Sequence, residues 1–178
     1  MNQIRLGRSN LQVTRIAFTG GSAGTVVRAG AAGVIAGLPL AVWLMFVAIF
    51  TSKVWAPPQG IAQAVGIGHA GHDFQLLPFI LGLMGHLINS VILGLIFLAI
   101  AVAFNLRGLA TVLVGAIFGV VAYTTIYWVL LRGLFSGTSG SFLSADPLWS
   151  VVIGHLVFGA GLGLLFAYGP LRRREVRH

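Results

Sequence analysis

The sequence predicts an all-α integral membrane protein, a four-helix bundle made of two tandem helical hairpins. Hydrophobic residues make up 57% of the 178 positions and charged residues only 8%, whereas a soluble domain carries about 25% charged residues. The mean hydropathy is +0.97. The apolar residues are gathered in four long runs, each close to the roughly 20 residues that cross a bilayer as a helix. Two of these runs share one pattern, which indicates an internal repeat.

The repeat is visible in the printed letters. PFILGLMGHLINSVILGLIF begins at Pro78, and PLWSVVIGHLVFGAGLGLLF begins at Pro147. No gap is needed to align them, so we expect the same structural unit twice. The matched positions are Pro78 with Pro147, His86 with His155, Gly94 with Gly163, and Phe97 with Phe166.

The elements follow in order along the chain. Residues 1–28 are basic and lack the apolar stretch of a cleavable signal peptide, so they are expected to form a cytoplasmic N-terminal segment. The first hairpin is predicted over 29–104 and the second over 108–169, before a basic tail. The finer boundaries are spans 29–51 and 77–104 with outer loop 52–76, spans 108–131 and 148–169 with outer loop 132–147, and tail 170–178.

The basic residues predict the orientation, because short cytoplasmic segments are enriched in Lys and Arg. Only Lys53 and Arg132 lie in the loops at one side. Trp55, Trp128 and Trp149 also fall at that side, where indole rings favour the headgroup zone. Both termini and the short turn between the hairpins are therefore expected in the cytoplasm. The nine basic residues on that side are Arg5, Arg8, Arg15, Arg28, Arg107, Arg172, Arg173, Arg174 and Arg177.

Small residues spaced by four occur in every predicted span. Such residues share one helix face and let two backbones approach closely, which drives helix association inside lipid. We therefore expect close helix packing within each hairpin. The residues are Gly33 and Gly37, Ser90 and Gly94, Gly115 and Gly119, and Gly159 and Gly163.

Two histidines, His86 and His155, lie inside predicted spans at matched depth. Ionisable groups at such depth usually face the interior of a bundle. Two neutral imidazoles across a bundle axis could ligate the iron of a b-type haem, with Lys53 or Arg132 near its propionates. The alternative is that each imidazole hydrogen-bonds a neighbouring helix and serves packing alone.

A second group of candidate ligands lies in the first outer loop, at His69, His72 and Asp73. Imidazole and carboxylate ligands suit a divalent metal such as copper or zinc. Asp146 from the second outer loop is a candidate fourth ligand. The alternative is that these side chains only keep a glycine-rich loop hydrated.

Motifs of catalysis are missing from the sequence. The acidic residues are Asp73, Asp146 and Glu175, so no carboxylate lies inside a span to relay protons or act as a base. No phosphate-binding glycine motif and no cysteine is present. The sequence predicts a protein that is not an enzyme and does not bind nucleic acid. A small-solute channel would need a polar lining, for which the spans offer His86, Asn89, Ser90, Thr124, Thr125 and His155.

The stretch GHLVFGAGLGLLFAY, with its earlier echo GHLINSVILGLIF, resembles small bacterial membrane proteins of four spans that are known only as domains of unknown function. In those proteins His-Leu followed by spaced glycines recurs in the hairpins. The resemblance covers the second and fourth spans best. It implies a bacterial cytoplasmic-membrane protein and implies no activity.

The expected function is that of a non-enzymatic accessory subunit of a larger membrane complex in electron transport. Short loops, the absence of buried acids and the glycine faces favour it. The alternatives are a bis-histidine haem carrier that uses His86 and His155, and a small-solute channel or transporter. The expected partners are membrane lipids and other transmembrane subunits, with anionic headgroups at the C-terminal arginine cluster.

Overall fold

The computed structural model describes residues 4–5, 12–13, 23–69, 73–126 and 147–169. This part of the chain is helical apart from one short antiparallel pairing, in which Ile4 faces Val13. The elements are β1 (Ile4–Arg5), β2 (Gln12–Val13), α1 (Ala23–Thr51), α2 (Ala56–Ala64), α3 (Leu76–Ala103), α4 (Leu109–Thr125) and α5 (Leu148–Tyr168).

Three of the helices, α1, α3 and α5, are long and apolar enough to cross a membrane. This agrees with the predicted membrane protein. The described part of α4 is equally apolar but has 17 residues. The span predicted there, 108–131, continues into residues outside the described part of the chain.

Two boundaries differ from the sequence prediction. Helix α1 begins at Ala23 rather than at residue 29, because hydropathy marks only the part of a helix that suits lipid. The predicted outer loop, 52–76, contains the nine-residue helix α2. Its Pro57 and Pro58 read as turn residues in the sequence, yet proline is well tolerated in the first turn of a helix, where backbone N–H groups lack partners.

Helix α1 packs against both α3 and α5, and α5 packs most extensively on α4. Helix α2 lies against α3. Helices α3 and α4 meet much less, with Phe97 beside Phe118 at a centroid distance of 5.4 Å. Phe97 also meets Phe166 of α5 edge-on at 5.3 Å. The buried core takes side chains from all four long helices: Ala32, Ala36, Leu40, Leu93, Phe97, Ala122, Phe158 and Leu162.

The C-terminal end of α1 and the N-terminal end of α5 lie together, since the rings of Trp43 and Trp149 are 6.3 Å apart. We call this end, which carries Trp149 and Trp55, the tryptophan end. The opposite end, where the turn between α3 and α4 carries Arg107, is called the arginine end.

Candidate functional site

The crossing of α1 and α3 brings together four of the predicted packing residues. A Cβ added to Gly94 would lie 3.0 Å from the Cα of Gly33, and one added to Gly33 would overlap the carbonyl oxygen of Ser90. A Cβ on Gly37 would lie 2.9 Å from the Cβ of Ser90. The two backbones therefore touch, and larger residues at these positions would separate the helices.

The crossing of α4 and α5 brings together the other four. A Cβ added to Gly159 would lie 2.8 Å from the backbone nitrogen of Gly119, and it would overlap the carbonyl oxygen of Gly115. A Cβ on Gly163 would lie 2.7 Å from the Cα of Val112. The predicted packing residues thus form two crossings, one between α1 and α3 and one between α4 and α5.

His86 lies beside the first crossing and links its two helices. Its Nε2 is 3.0 Å from the carbonyl oxygen of Gly37 on α1. A carbonyl oxygen only accepts, so Nε2 carries the proton and donates it, which leaves the lone pair of the neutral ring on Nδ1. Ser90 donates its hydroxyl to the carbonyl of His86 at 2.8 Å. The imidazole therefore joins α3 to α1 at the point where the glycines bring them together.

His155, the matched residue on α5, makes a different set of contacts. Its Nδ1 is 2.8 Å from the carbonyl oxygen of Val151, one turn earlier on the same helix. By the same argument Nδ1 is the donor, and the lone pair lies on Nε2. The ring lies against Tyr123 of α4 with centroids 4.7 Å apart and planes tilted by 39°. His155 thus contacts the neighbouring helix through a ring face rather than through a hydrogen bond.

A haem held through both Nε2 atoms does not fit this arrangement, because Nε2 of His86 is protonated and bound to Gly37. In His155 the hydrogen bond to Val151 is made by Nδ1, so the lone pair lies on Nε2. Ligation of a haem through Nε2 of His86 would need the His86–Gly37 hydrogen bond to break.

The predicted metal site in the first loop is described only in part. His69 and Asp73 are exposed, and His72 lies outside the described residues, as do Arg132 and Asp146. Among the residues that the structure places, no three His, Cys, Asp or Glu side chains come together as metal ligands. The loop metal remains a prediction.

Three glutamines fix the backbone of this loop, which the sequence did not indicate. Gln59 accepts a hydrogen bond from the Gln75 N–H at 2.7 Å and donates to the Asp73 carbonyl at 3.1 Å. Gln63 donates to the His69 carbonyl at 2.9 Å. Gln75 donates to the same carbonyl at 2.8 Å and accepts from the His69 N–H at 3.1 Å. We call these three residues the glutamine clasp.

Trp43 and Tyr123 are two further contact residues that sequence reasoning missed. Trp43 of α1 donates its indole N–H to the carbonyl of Ser150 on α5 at 2.9 Å, which links the two hairpins. Tyr123 lies four residues after Gly119, on the face marked by Gly115 and Gly119. Extending that glycine face by one step of four would have found Tyr123. No comparable spacing signals Trp43.

Among the residues that the structure describes, the polar side chains considered for a channel lining differ in burial. Thr124 on α4 is exposed, and its hydroxyl donates a hydrogen bond to the carbonyl of Val120 at 2.9 Å. Thr125 is also exposed, whereas Ser90 is buried at the first crossing. Among the described residues, the hydroxyl of Thr111 is the buried side-chain polar group without a hydrogen-bond partner.

No family model, curated protein or solved structure matches this chain.

Proposed function

We propose that this chain is a small, non-enzymatic membrane protein that serves as an accessory subunit of a larger electron-transport complex. In this proposal it is a four-helix bundle of two tandem hairpins in a bacterial cytoplasmic membrane, with both termini in the cytoplasm. One observation carries the proposal most directly: His86 is bound by the backbone of a neighbouring helix and is therefore used in packing.

The two crossings support the tandem repeat. Gly33 and Gly37 meet α3 near Ser90 and Gly94, and Gly115 and Gly119 meet α5 near Gly159 and Gly163. The second partner in each crossing occupies matched positions of the repeat. Phe97 and Phe166, which are also matched, contact each other. Two residues related by a two-fold axis touch only where they lie beside that axis, so the contact supports a pseudo-two-fold arrangement of the hairpins.

The exposed surface supports association with other transmembrane subunits and lipid. Two helices each carry a row of apolar side chains spaced by four, and each row lies on one exposed face. Such faces fit acyl chains or the helices of a partner. The rows are Ile80, Met84, Ile88, Ile92 and Ile96 on α3, and Leu109, Leu113, Ile117 and Val121 on α4.

Extraction of native membranes in a mild detergent tests the proposal. The chain should co-purify with other membrane-spanning proteins that carry redox groups. Ile92→Trp and Ile117→Trp enlarge exposed side chains and should weaken that association without unfolding the chain, whereas wild type retains it. A stable chain that purifies free of other spans from its native membrane would contradict the proposal.

The bis-histidine haem carrier is the alternative, and the free lone pair on Nε2 of His155 is the observation in its favour. A reduced-minus-oxidised spectrum of protein expressed with a supply of haem decides between the two. A Soret band together with a sharp α-band would favour haem ligation over packing as the role of the histidines, provided that both His86→Ala and His155→Ala abolish these bands. We expect neither band. The small-solute channel is the least favoured of the three functions, because Thr124 and Thr125, two of its candidate lining residues, are exposed.

A further inference from the structure

Helix α2 crosses α3 well inside the span rather than beyond its end. A Cβ added to Gly82 would lie 2.6 Å from the carbonyl carbon of Pro58, and one added to Gly85 would lie 3.6 Å from a methyl group of Ile61. Helix α3 starts at Leu76. At about 1.5 Å per residue, α2 therefore contacts α3 roughly 9 to 13 Å below the start of that helix.

Some exposed apolar side chains lie nearer to the tryptophan end than the contact between α2 and α3 does. Phe74 is 51% exposed, and Leu76 and Leu77 are each 62% exposed. On a helix that crosses a bilayer, a continuous exposed apolar surface marks the hydrocarbon region. That surface begins at Phe74, so the level at which α2 contacts α3 lies within it.

The backbone donors at both ends of α2 are satisfied within the protein. Ala56 donates to the Lys53 carbonyl at 2.7 Å, Gln59 donates to the Trp55 carbonyl at 3.2 Å, and the two residues between them are prolines without an N–H. At the other end, Gly66 donates to Gln63 and Ile67 to Ala62, each at 3.0 Å. Gly66 has a φ of +83°, as the C-terminal motif that produces these two bonds requires. A segment inside lipid must satisfy its backbone in this way.

The polar side chains of α2 are satisfied as well. Gln59 is 2% exposed and Gln63 is 8% exposed, and their side-chain amides donate to the backbone carbonyls of Asp73 and His69. The residues on either side of the segment meet in an aromatic cluster, with Trp55 and Phe74 5.7 Å apart and Phe74 and Phe79 5.7 Å apart. Aromatic rings of this kind favour the boundary between headgroups and acyl chains.

We propose that α2 is embedded in the bilayer leaflet at the tryptophan end, where acyl chains are its partner, and that it is not part of an aqueous loop. The Trp55 and Phe74 rings, which contact each other, lie at the headgroup boundary of that leaflet. The glutamine clasp replaces the hydrogen bonds that water would otherwise supply. This proposal concerns the surface of the protein and does not depend on the function proposed above.

Single-cysteine spin labelling tests this placement without background, because the chain contains no cysteine. The full chain is reconstituted in phospholipid nanodiscs with a nitroxide on Val65→Cys, which is 47% exposed at the end of α2. Lys53→Cys, which is exposed just before α2, is the control for water. Ile96→Cys, which is 45% exposed on α3, is the control for lipid. Collisions with oxygen and with a water-soluble nickel chelate are measured for each label.

The relaxation of the Val65 label should be enhanced little by the nickel chelate and strongly by oxygen. The same behaviour is expected of the Ile96 label. A second label, on Leu77→Cys, should behave in the same way and covers the case in which Val65→Cys disturbs the clasp. Nickel accessibility at Val65 and Leu77 equal to that at Lys53 would overturn the proposal. Unchanged helical circular dichroism of each variant shows that the comparison is made on folded protein.

Discussion

The two close helix crossings, of α1 with α3 and of α4 with α5, have different histidine contacts. In the first, His86 donates a hydrogen bond across the crossing to Gly37. In the second, His155 bonds its own helix and stacks on Tyr123. Aligning Gly37 with Gly119 places Ala41 in the first hairpin where the second has Tyr123. Tyr123 supplies the ring on which His155 stacks, whereas Ala41 has no ring and His86 bonds the Gly37 backbone.

The second difference concerns what covers α3 and α5. Gly154 of α5 receives Leu40 and Trp43 of α1, since a Cβ there would lie 2.5 Å and 3.0 Å from their nearest atoms. The matched residue on α3, Gly85, faces Ile61 of α2 instead. Helix α2 therefore covers on α3 the face that α1 covers on α5. This explains why α4, the counterpart of α1, meets α3 so little.

The largest expected effect comes from the glycines that the hairpins have in common. Gly159→Ala places a methyl group 2.8 Å from the backbone of Gly119, and overpacking of this kind costs about 1–3 kcal/mol. Gly161→Ala on the same helix is the matched control, because its nearest neighbour, a methyl of Ala36, would be 3.9 Å away. Unfolding in mixed micelles should separate the two variants. Equal stability would show that the second crossing is looser than described.

The next effect belongs to the first hairpin alone. Gln59→Ala leaves the Gln75 N–H and the Asp73 carbonyl without the partners they have now, and a typical hydrogen bond within a protein contributes about 0.5–1.5 kcal/mol. We expect faster hydrogen exchange and easier proteolysis around residues 69–75, with α4 and α5 unaffected. Protection unchanged in that segment would mean that the clasp does not hold the loop.

A smaller effect distinguishes the two histidines. His86→Ala removes a hydrogen bond between helices, which in membrane proteins contributes about 0.6 kcal/mol on average and up to about 1.7 kcal/mol. His86→Gln can still donate to Gly37 and should recover part of the loss. His155→Gln should not recover the loss of His155→Ala, since ring stacking is what is removed. Equal recovery of stability by the glutamine variants at both sites would contradict the proposed difference between His86 and His155.

The smallest effect is the coupling of one pair. A double-mutant cycle of His155→Ala with Tyr123→Ala should give an interaction of about 0.5–1.5 kcal/mol, the usual range for paired aromatic rings. The matched cycle of His86→Ala with Ala41→Gly should give none, because the His86 ring bonds the backbone carbonyl of Gly37 rather than a side chain. A coupling energy near zero between His155 and Tyr123 would show that the ring contact does not contribute to stability.

The sequence was sufficient for the parts of the structure that depend on composition and spacing. The apolar runs identified α1, α3 and α5 as candidate membrane spans, because a bilayer demands a fixed length of apolar helix. The spacing of Gly33 and Gly37, and of Gly115 and Gly119, indicated faces suited to close contact. Which face meets which helix depends on tertiary packing, and the contact of α1 with α5 came only with the structure.

The details that escaped prediction depend on single side chains and local backbone geometry. Helix α2 was hidden because Pro57, Pro58 and Gly60 are turn residues in most settings. The roles of His86 and His155 were left open between packing and ligation, because a ring can bond a neighbouring backbone, its own helix or a cofactor from the same depth. The groups that separate these outcomes, the Gly37 carbonyl and the Tyr123 ring, lie on a different helix from the histidine that each contacts.

The contact between Phe97 and Phe166 has a consequence for how such a chain can change over time. If the hairpins arose by duplication, each ring is packed against the descendant of the same ancestral residue. A substitution at either position then alters the surroundings of its own counterpart. Under that hypothesis, a change at Phe97 would favour a compensating change at Phe166, because the two rings pack on each other.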